Sequence, residues 1–254
     1  MKRLMILLSA VVLAVTLQAQ EVRPVMTAKY ISRTLKIDGK MSDPAWAEAS
    51  AYSLELPLKI YANQPESMQK VLGTELREKG EVKLLWNDEY LYVAARFEDS
   101  DVVADGKEDQ TLHCNTGDLI EVFLKPETDT YYWEIYGTPN EKKTCIFYPG
   151  RGRHFLPSDF DASPSDIIVK TSIDGTFNNW KDKDKSWTVE LAIPIKKLTE
   201  YGAKFDDSAK WTILVSRYNY SRYLTWKELS AFPLLSNANY HLNEEYARLN
   251  LQKD

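Results

Sequence analysis

The sequence predicts an all-β fold, an antiparallel β-sandwich of the jelly-roll or immunoglobulin-like kind, interrupted by short helical turns. Three observations lead there. Apolar and polar residues alternate with a period of two in many short segments, turn-forming residues separate those segments, and little of the chain has a helical pattern. Many short strands with little helix bury their apolar faces against one another, as a sandwich or a barrel.

The first 20 residues stand apart. Met1-Lys2-Arg3 is basic, Leu4 to Leu17 is apolar except for Ser9 and Thr16, and Gln18-Ala19-Gln20 leads into polar sequence. That is the pattern of a secretory signal peptide. The run falls short of the roughly 20 residues that span a bilayer, and no Cys lies near it to carry a lipid anchor. Cleavage near Ala19 or Gln20 leaves one domain, residues 21–254, in the periplasm or outside the cell. No later stretch is long and apolar enough to cross a membrane, so no membrane insertion is expected after cleavage.

The elements follow in order. Val25 to Ile31 and Tyr52 to Leu56 read as strands. Between them Ser42-Asp43-Pro44 opens a helical turn, because a Ser or Asp cap followed by Pro at the first helical position favours a start there. Glu81 to Trp86 and Tyr90 to Phe97 form a hairpin about Asn87-Asp88-Glu89, with Leu91, Val93, Ala95 and Phe97 on one face. Asp118 to Lys125 and Tyr131 to Tyr136 form a second about Pro126-Glu127-Thr128-Asp129, and Thr144 to Tyr148 continues it. Asp166 to Ile173, Trp187 to Ile193, a helical turn over Pro194 to Thr199, Trp211 to Tyr218 and Tyr246 to Leu251 complete the set. Two long loops remain, Gly150 to Ser165 and the charged stretch Asn178 to Ser186 around Trp180. Binding residues concentrate on such loops.

Charge narrows the partners. The chain has 32 basic and 37 acidic residues, a net charge of −5. The leader removes Lys2 and Arg3 and no acid, leaving 30 against 37, or −7. Nucleic acid and anionic membrane surfaces both call for a basic face, so neither is an expected partner. Cys114 and Cys145 flank the second hairpin, which admits either a disulfide in an oxidising compartment or two buried thiols. Seven Trp and fifteen Tyr exceed ordinary use, enough to supply core plugs and a sugar-stacking surface together.

Five segments resemble, in order, the family 9 carbohydrate-binding modules. They are Leu35 to Trp46 with its Ile37-Asp38-Gly39, Val82 to Val93, Gly117-Asp118-Leu119-Ile120-Glu121-Val122-Phe123-Leu124, Trp187-Thr188-Val189-Glu190-Leu191-Ala192-Ile193-Pro194, and Trp211 to Asn219 followed by Trp226. The resemblance implies a sandwich that binds an oligo- or polysaccharide and does no chemistry on it. It also implies a glycan end held between two Trp rings, the downstream one falling on Trp226. The other is expected within Thr111 to Thr116, where His113 is the one ring available. Tyr136 stands where the family usually has Asn. These departures leave open a different ligand, or a site lost to protein-protein interaction.

The site candidates follow from how sugars are held. The axial C–H face of a pyranose packs on an aromatic ring, and side chains with paired donors or acceptors fix the hydroxyls. Trp226 and Trp180 lie in polar segments and are the stacking candidates, whereas Trp46, Trp86 and Trp187 lie on apolar faces and read as core. Trp133 reads as partly buried. Arg217 and Asn219 share the strand face of Val215, where Arg217 either pairs with Glu121 or Glu134 or, with Asn219, donates to hydroxyls. Asp118 and Glu134 are the acceptor candidates, and His113 and Tyr136 complete the set. Asp99, Asp101 and Asp105, with Glu108 and Asp109 nearby, form either a structural calcium site or a solvated turn. No other cofactor is expected. The sequence has no Gly-x-Ser-x-Gly, His-Glu-x-x-His or phosphate loop, and these absences, with the resemblance, point away from an enzyme.

Overall fold

Twelve strands, β1 (Val25–Tyr30), β2 (Ala51–Ser53), β3 (Gly80–Trp86), β4 (Tyr90–Glu98), β5 (Leu119–Pro126), β6 (Tyr132–Gly137), β7 (Lys143–Tyr148), β8 (Ile168–Asp174), β9 (Ser186–Pro194), β10 (Trp211–Asn219), β11 (Glu228–Phe232) and β12 (Ala247–Gln252), make up a single sheet in the computed structural model. The structure describes residues 23–72, 74–153 and 166–253. The expected signal peptide, His154 and most of the loop from Gly150 to Ser165 lie outside them. Two short helices, α1 (Glu66–Leu72) and α2 (Ile195–Leu198), accompany the strands, and no helix among the described residues is long and apolar enough to cross a membrane.

The strand order is β7-β6-β5-β10-β12-β1-β3-β4-β9-β8, with β11 added on β10 and β2 on β3. The sheet curls until its two ends meet. Lys143 Nζ donates to the Ile167 carbonyl at 2.9 Å and Thr171 Oγ1 to the Pro139 carbonyl at 2.7 Å. A Cβ on Gly137 would sit 3.3 Å from Leu191 and Val169, across the core from its own strand. The all-β expectation therefore holds, but two separate sheets do not form, and the jelly-roll or immunoglobulin-like sandwich gives way to a nearly closed barrel. The sheet is not purely antiparallel either, since β1 runs parallel to both β12 and β3. Those two neighbours take their directions from their own antiparallel partners, β10 and β4.

The alternation read from the sequence faces one core. Leu91, Val93, Ala95 and Phe97 of β4 are fully buried there with Val122, Ile135, Val189 and Val215. Trp86, Trp133, Trp187 and Trp211 join them, each at most 2 % exposed, so Trp133 is core rather than partly buried. Burying a large apolar side chain stabilises the fold by about 1.5–3 kcal/mol.

The N-terminal segment seals the outer face of β3, β4 and β9, where Leu35, Trp46, Leu85, Tyr92 and Ala192 pack together. Glu190 fixes it. Its carboxylate accepts the N–H groups of Asp38 (3.0 Å), Gly39 (2.6 Å) and Met41 (3.3 Å) and the Trp46 indole N–H (2.8 Å). Asp43 caps the turn Pro44–Ala47, accepting from Ala45 N as the sequence predicts.

Both cysteines are free thiols. Cys145 is buried in the main core, while Cys114 packs with Leu119, Tyr136 and Ile146 on the outer face of the same strands. The two faces of one sheet separate them, and no disulfide forms.

Candidate functional site

Four loops gather at one end of the barrel. They are the connections β4–β5 (99–118), β6–β7 (138–142), β8–β9 (175–185) and β10–β11 (220–227), because Glu98 pairs with Ser186 and Leu119 with Tyr218. Hydrogen bonds knit them together: Ala104 N to Asn178 Oδ1 at 2.9 Å, Asn140 Nδ2 to the Gly106 carbonyl at 2.7 Å, and Tyr220 OH to the Cys114 carbonyl at 2.6 Å.

Beneath the loops lies a buried polar cluster. Arg217 has no exposed surface. Its Nη2 donates to Asp99 Oδ2 at 2.9 Å, its Nη1 to the Glu78 carbonyl at 3.2 Å, and its guanidinium lies 4.8 Å from the centre of the Phe97 ring. Asp99 also accepts the Trp187 indole N–H at 3.1 Å and the Asp101 N–H at 3.0 Å. Asn219 Nδ2 donates to Glu78 Oε2 at 2.7 Å. Burial raises Asp99 to about 6 despite Arg217, and burial with the nearby Asp99 charge raises Asp118 far above the usual carboxylate range.

These carboxylates position the loop backbones. Asp118 accepts Val103 N at 2.7 Å and Tyr220 N at 2.6 Å, and Asp101 accepts Arg222 N at 2.8 Å. Asp184 accepts Val102 N at 2.8 Å and Thr176 N at 2.6 Å. A carboxylate holding two backbone N–H groups fixes the path of each loop it touches.

A second polar cluster lies on the outer face of β5 and β6. Ser216 Oγ donates to Glu121 at 2.9 Å, Tyr136 OH donates to Glu134, and the second Glu134 oxygen lies 4.0 Å from His241 Nε2. Burial raises both acids, Glu134 to about 7, and the neighbouring Glu134 charge raises Glu121 further.

The loop end exposes aromatic rings. Trp180 is 65 % exposed, Trp226 46 % and Tyr223 41 %. The Arg222 guanidinium lies 5.5 Å from the Trp180 ring centre and 5.2 Å from that of Tyr223, and donates to the Trp180 carbonyl. Tyr223 OH donates to the Asp182 carbonyl at 2.8 Å, tying the two loops together. Among the described residues the Trp226 indole meets no ring or hydrogen-bond partner. The adjoining Lys227 turns inward, 5.1 Å from the Tyr218 ring centre and 5.4 Å from that of Tyr220.

Of the residues predicted from sequence, Trp226 and Trp180 face solvent at this end. Arg217, Asn219, Asp118, His113, Glu134 and Tyr136 are each at most 4 % exposed. Arg217 pairs with Asp99 rather than Glu121 or Glu134, which point to the opposite face of the sheet. His113 is sealed against Gly106, where an added Cβ would lie 2.3 Å from Nδ1, and its ring is no surface clamp. Tyr223 and Arg222 were absent from the predicted set, although Tyr223 stands three residues before Trp226 in the same polar segment. The acids suggested as calcium ligands all have protein partners. Asp99 and Asp101 are engaged as above, and Asp105 meets Asn178 Nδ2 at 3.3 Å. Among the described residues no group of three or more His, Cys, Asp or Glu side chains is placed to hold a metal.

Comparison with known proteins agrees with this architecture. Residues 37–212 match the family described as carbohydrate family 9 binding domain-like. No curated protein matches the chain. A provisionally assigned carbohydrate-binding protein of Bacteroides uniformis shares the fold at a TM-score of 0.67 and 10 % identity, covering 90 % of this chain and 99 % of its own. A family 9 carbohydrate-binding module of Caldicellulosiruptor kristjanssonii in complex with glucose follows at a TM-score of 0.55 and 16 % identity, covering 91 % and 96 %. Its complex with cellotriose gives 0.54 and 14 %, covering 91 % and 94 %. With more than half its length matched by the family and the fold shared with these structures, the chain belongs to the carbohydrate family 9 binding domain-like family.

Proposed function

We propose that this protein is exported and binds a saccharide, without chemical action on it, at the loop end of the barrel, with Trp226, Trp180 and Tyr223 as stacking rings. The observation that carries this is the exposure of three large rings on two loops whose backbones are fixed by buried carboxylates. An apolar ring face open to water suits the C–H face of a pyranose. A surface ordered before the ligand arrives avoids the cost of ordering on binding. Structures of the same fold in complex with glucose and cellotriose support saccharide as the ligand class.

The proposal includes no catalytic step. Glycoside hydrolysis needs two carboxyl groups flanking an accessible bond, about 5–10 Å apart. Glu121 and Glu134 are the obvious pair, but they are 2 % and 4 % exposed and are held by Ser216 and Tyr136. The test is a glycan array probed with the protein and with Trp226→Ala. The wild type is expected to select a defined set of oligosaccharides, and the variant to bind them about tenfold more weakly with unchanged circular dichroism. Absence of binding to any glycan, or full binding by Trp226→Ala together with Trp180→Ala, contradicts the proposal.

A further inference from the structure

Resting on that saccharide reading, we infer that the ligand is acidic, bearing carboxylate or sulfate groups, and that Lys181, Lys183 and Arg222 recognise its charge. The chain is acidic overall, at −5, yet cations flank its exposed rings. Lys181 Nζ lies 5.8 Å and the Arg222 guanidinium 5.5 Å from the Trp180 ring centre. Lys183 Nζ lies 5.3 Å and Arg222 5.2 Å from that of Tyr223. All three cations are exposed, and among the described residues none has a carboxylate within ion-pair distance. Neighbouring Lys185 differs, pairing with Asp174 at 3.2 Å.

The acids beneath do not cancel this charge at the surface. Asp101 and Asp184 are buried and hold backbone N–H groups of Arg222, Val102 and Thr176. Asp182, between the two lysines, accepts the Thr176 hydroxyl at 2.7 Å. Of the acids on this loop end, the half-buried Asp182 is engaged by Thr176 and the exposed Asp105 by Asn178, and neither is within ion-pair distance of the three exposed cations. The cations also sit near the ring faces a sugar would use. A neutral sugar displaces them from the rings and offers no countercharge. An acidic sugar draws the same cations to its edge, opens the ring face and forms ion pairs, so charge and stacking act together.

The experiment is a set of paired probes: oligogalacturonate, oligomannuronate and a sulfated galactan, each beside its carboxyl-reduced or desulfated counterpart. Oligothymidylate serves as a polyanion without pyranose rings. We expect binding to an acidic member of a pair, about tenfold weaker in the Lys181→Gln/Lys183→Gln double variant, the loss that two surface ion pairs give. That binding also weakens as salt is raised. Uronate against sulfate identifies which anion is read. Equal or better binding of the neutral members, unaffected by the double variant, overturns this inference and leaves the saccharide reading standing. Binding of oligothymidylate as strong as that of the acidic saccharides overturns it as generic polyanion attraction. No binding to any saccharide overturns both.

Discussion

Arg217 is enclosed by Asp99 on one side and the Phe97 ring on the other, with Glu78 closing the end. Strand alternation places it correctly beside Val215, on the inward face. Alternation cannot supply its partner, since Asp99 lies 118 positions away in the chain. Breaking a buried pair from one side leaves a charge without compensation. Arg217→Met is therefore expected to lower stability by roughly 3 kcal/mol or more, read from the urea midpoint, and an unchanged midpoint would show that the pair is not structural. Trp226, nine residues on, meets no such partners. Its polar neighbours Thr225 and Lys227 mark it in the sequence as a surface ring. Tyr223 and Arg222 sit in the same segment, but what distinguishes them is contact with Trp180 on another loop, which no local pattern encodes.

Among elements, the strands with strict alternation were legible almost to their ends. β11 (Glu228–Phe232) was not, because its five residues follow a polar turn and include a buried acid, Glu228, which accepts the backbone N–H groups of Arg77 and Glu78. Helix α1 escaped for the opposite reason. Only Leu72 of its seven residues is buried, so it has no apolar stripe to read. The Ile37-Asp38-Gly39 and Trp187-to-Pro194 segments, by contrast, were visible as motifs and prove to be one joint. Glu190 grips the backbone around Gly39, whose φ of 77° and whose closeness to Thr171 leave no room for a side chain. An added Cβ would stand 2.4 Å from the Thr171 backbone. Gly39→Ala is expected to destabilise by roughly 2 kcal/mol or more through backbone strain and overlap. A thermal midpoint equal to wild type would contradict that joint.

For the molecule as a whole, curling one sheet into a near-barrel buries acids on both of its faces, and each contributes a pH dependence of defined sign. Burial raises Glu134 to about 7 and Asp99 to about 6. The folded protein thus keeps protons that the unfolded chain releases near pH 4. Between pH 4 and 7 these acids bind more protons in the native state, so their contribution to stability falls as pH rises through that window, while burial of His113 and His241, which lowers both, contributes in the opposite direction. The excess of the midpoint at pH 5.5 over that at pH 8 is expected to be larger in the wild type than in Glu134→Gln by about 3 °C or more. Glu134→Gln should flatten the difference. A pH 5.5-to-8 difference that is the same in the wild type and Glu134→Gln contradicts the burial of Glu134 as an ionisable acid. Closure itself was not legible, because it rests on contacts such as Gly137 against Leu191 and Val169, between strands distant in the chain.

The most direct test of the saccharide platform is the indole N–H spectrum of the isotope-labelled protein during titration with an oligosaccharide selected on the array. The chain has seven Trp residues, of which Trp46, Trp86, Trp133, Trp187 and Trp211 are at most 2 % exposed. Saturable shifts at Trp226 and Trp180, with those five signals unmoved, are the predicted result. Binding that leaves both loop signals in place, or shifts the buried set instead, would put the saccharide elsewhere and contradict the account.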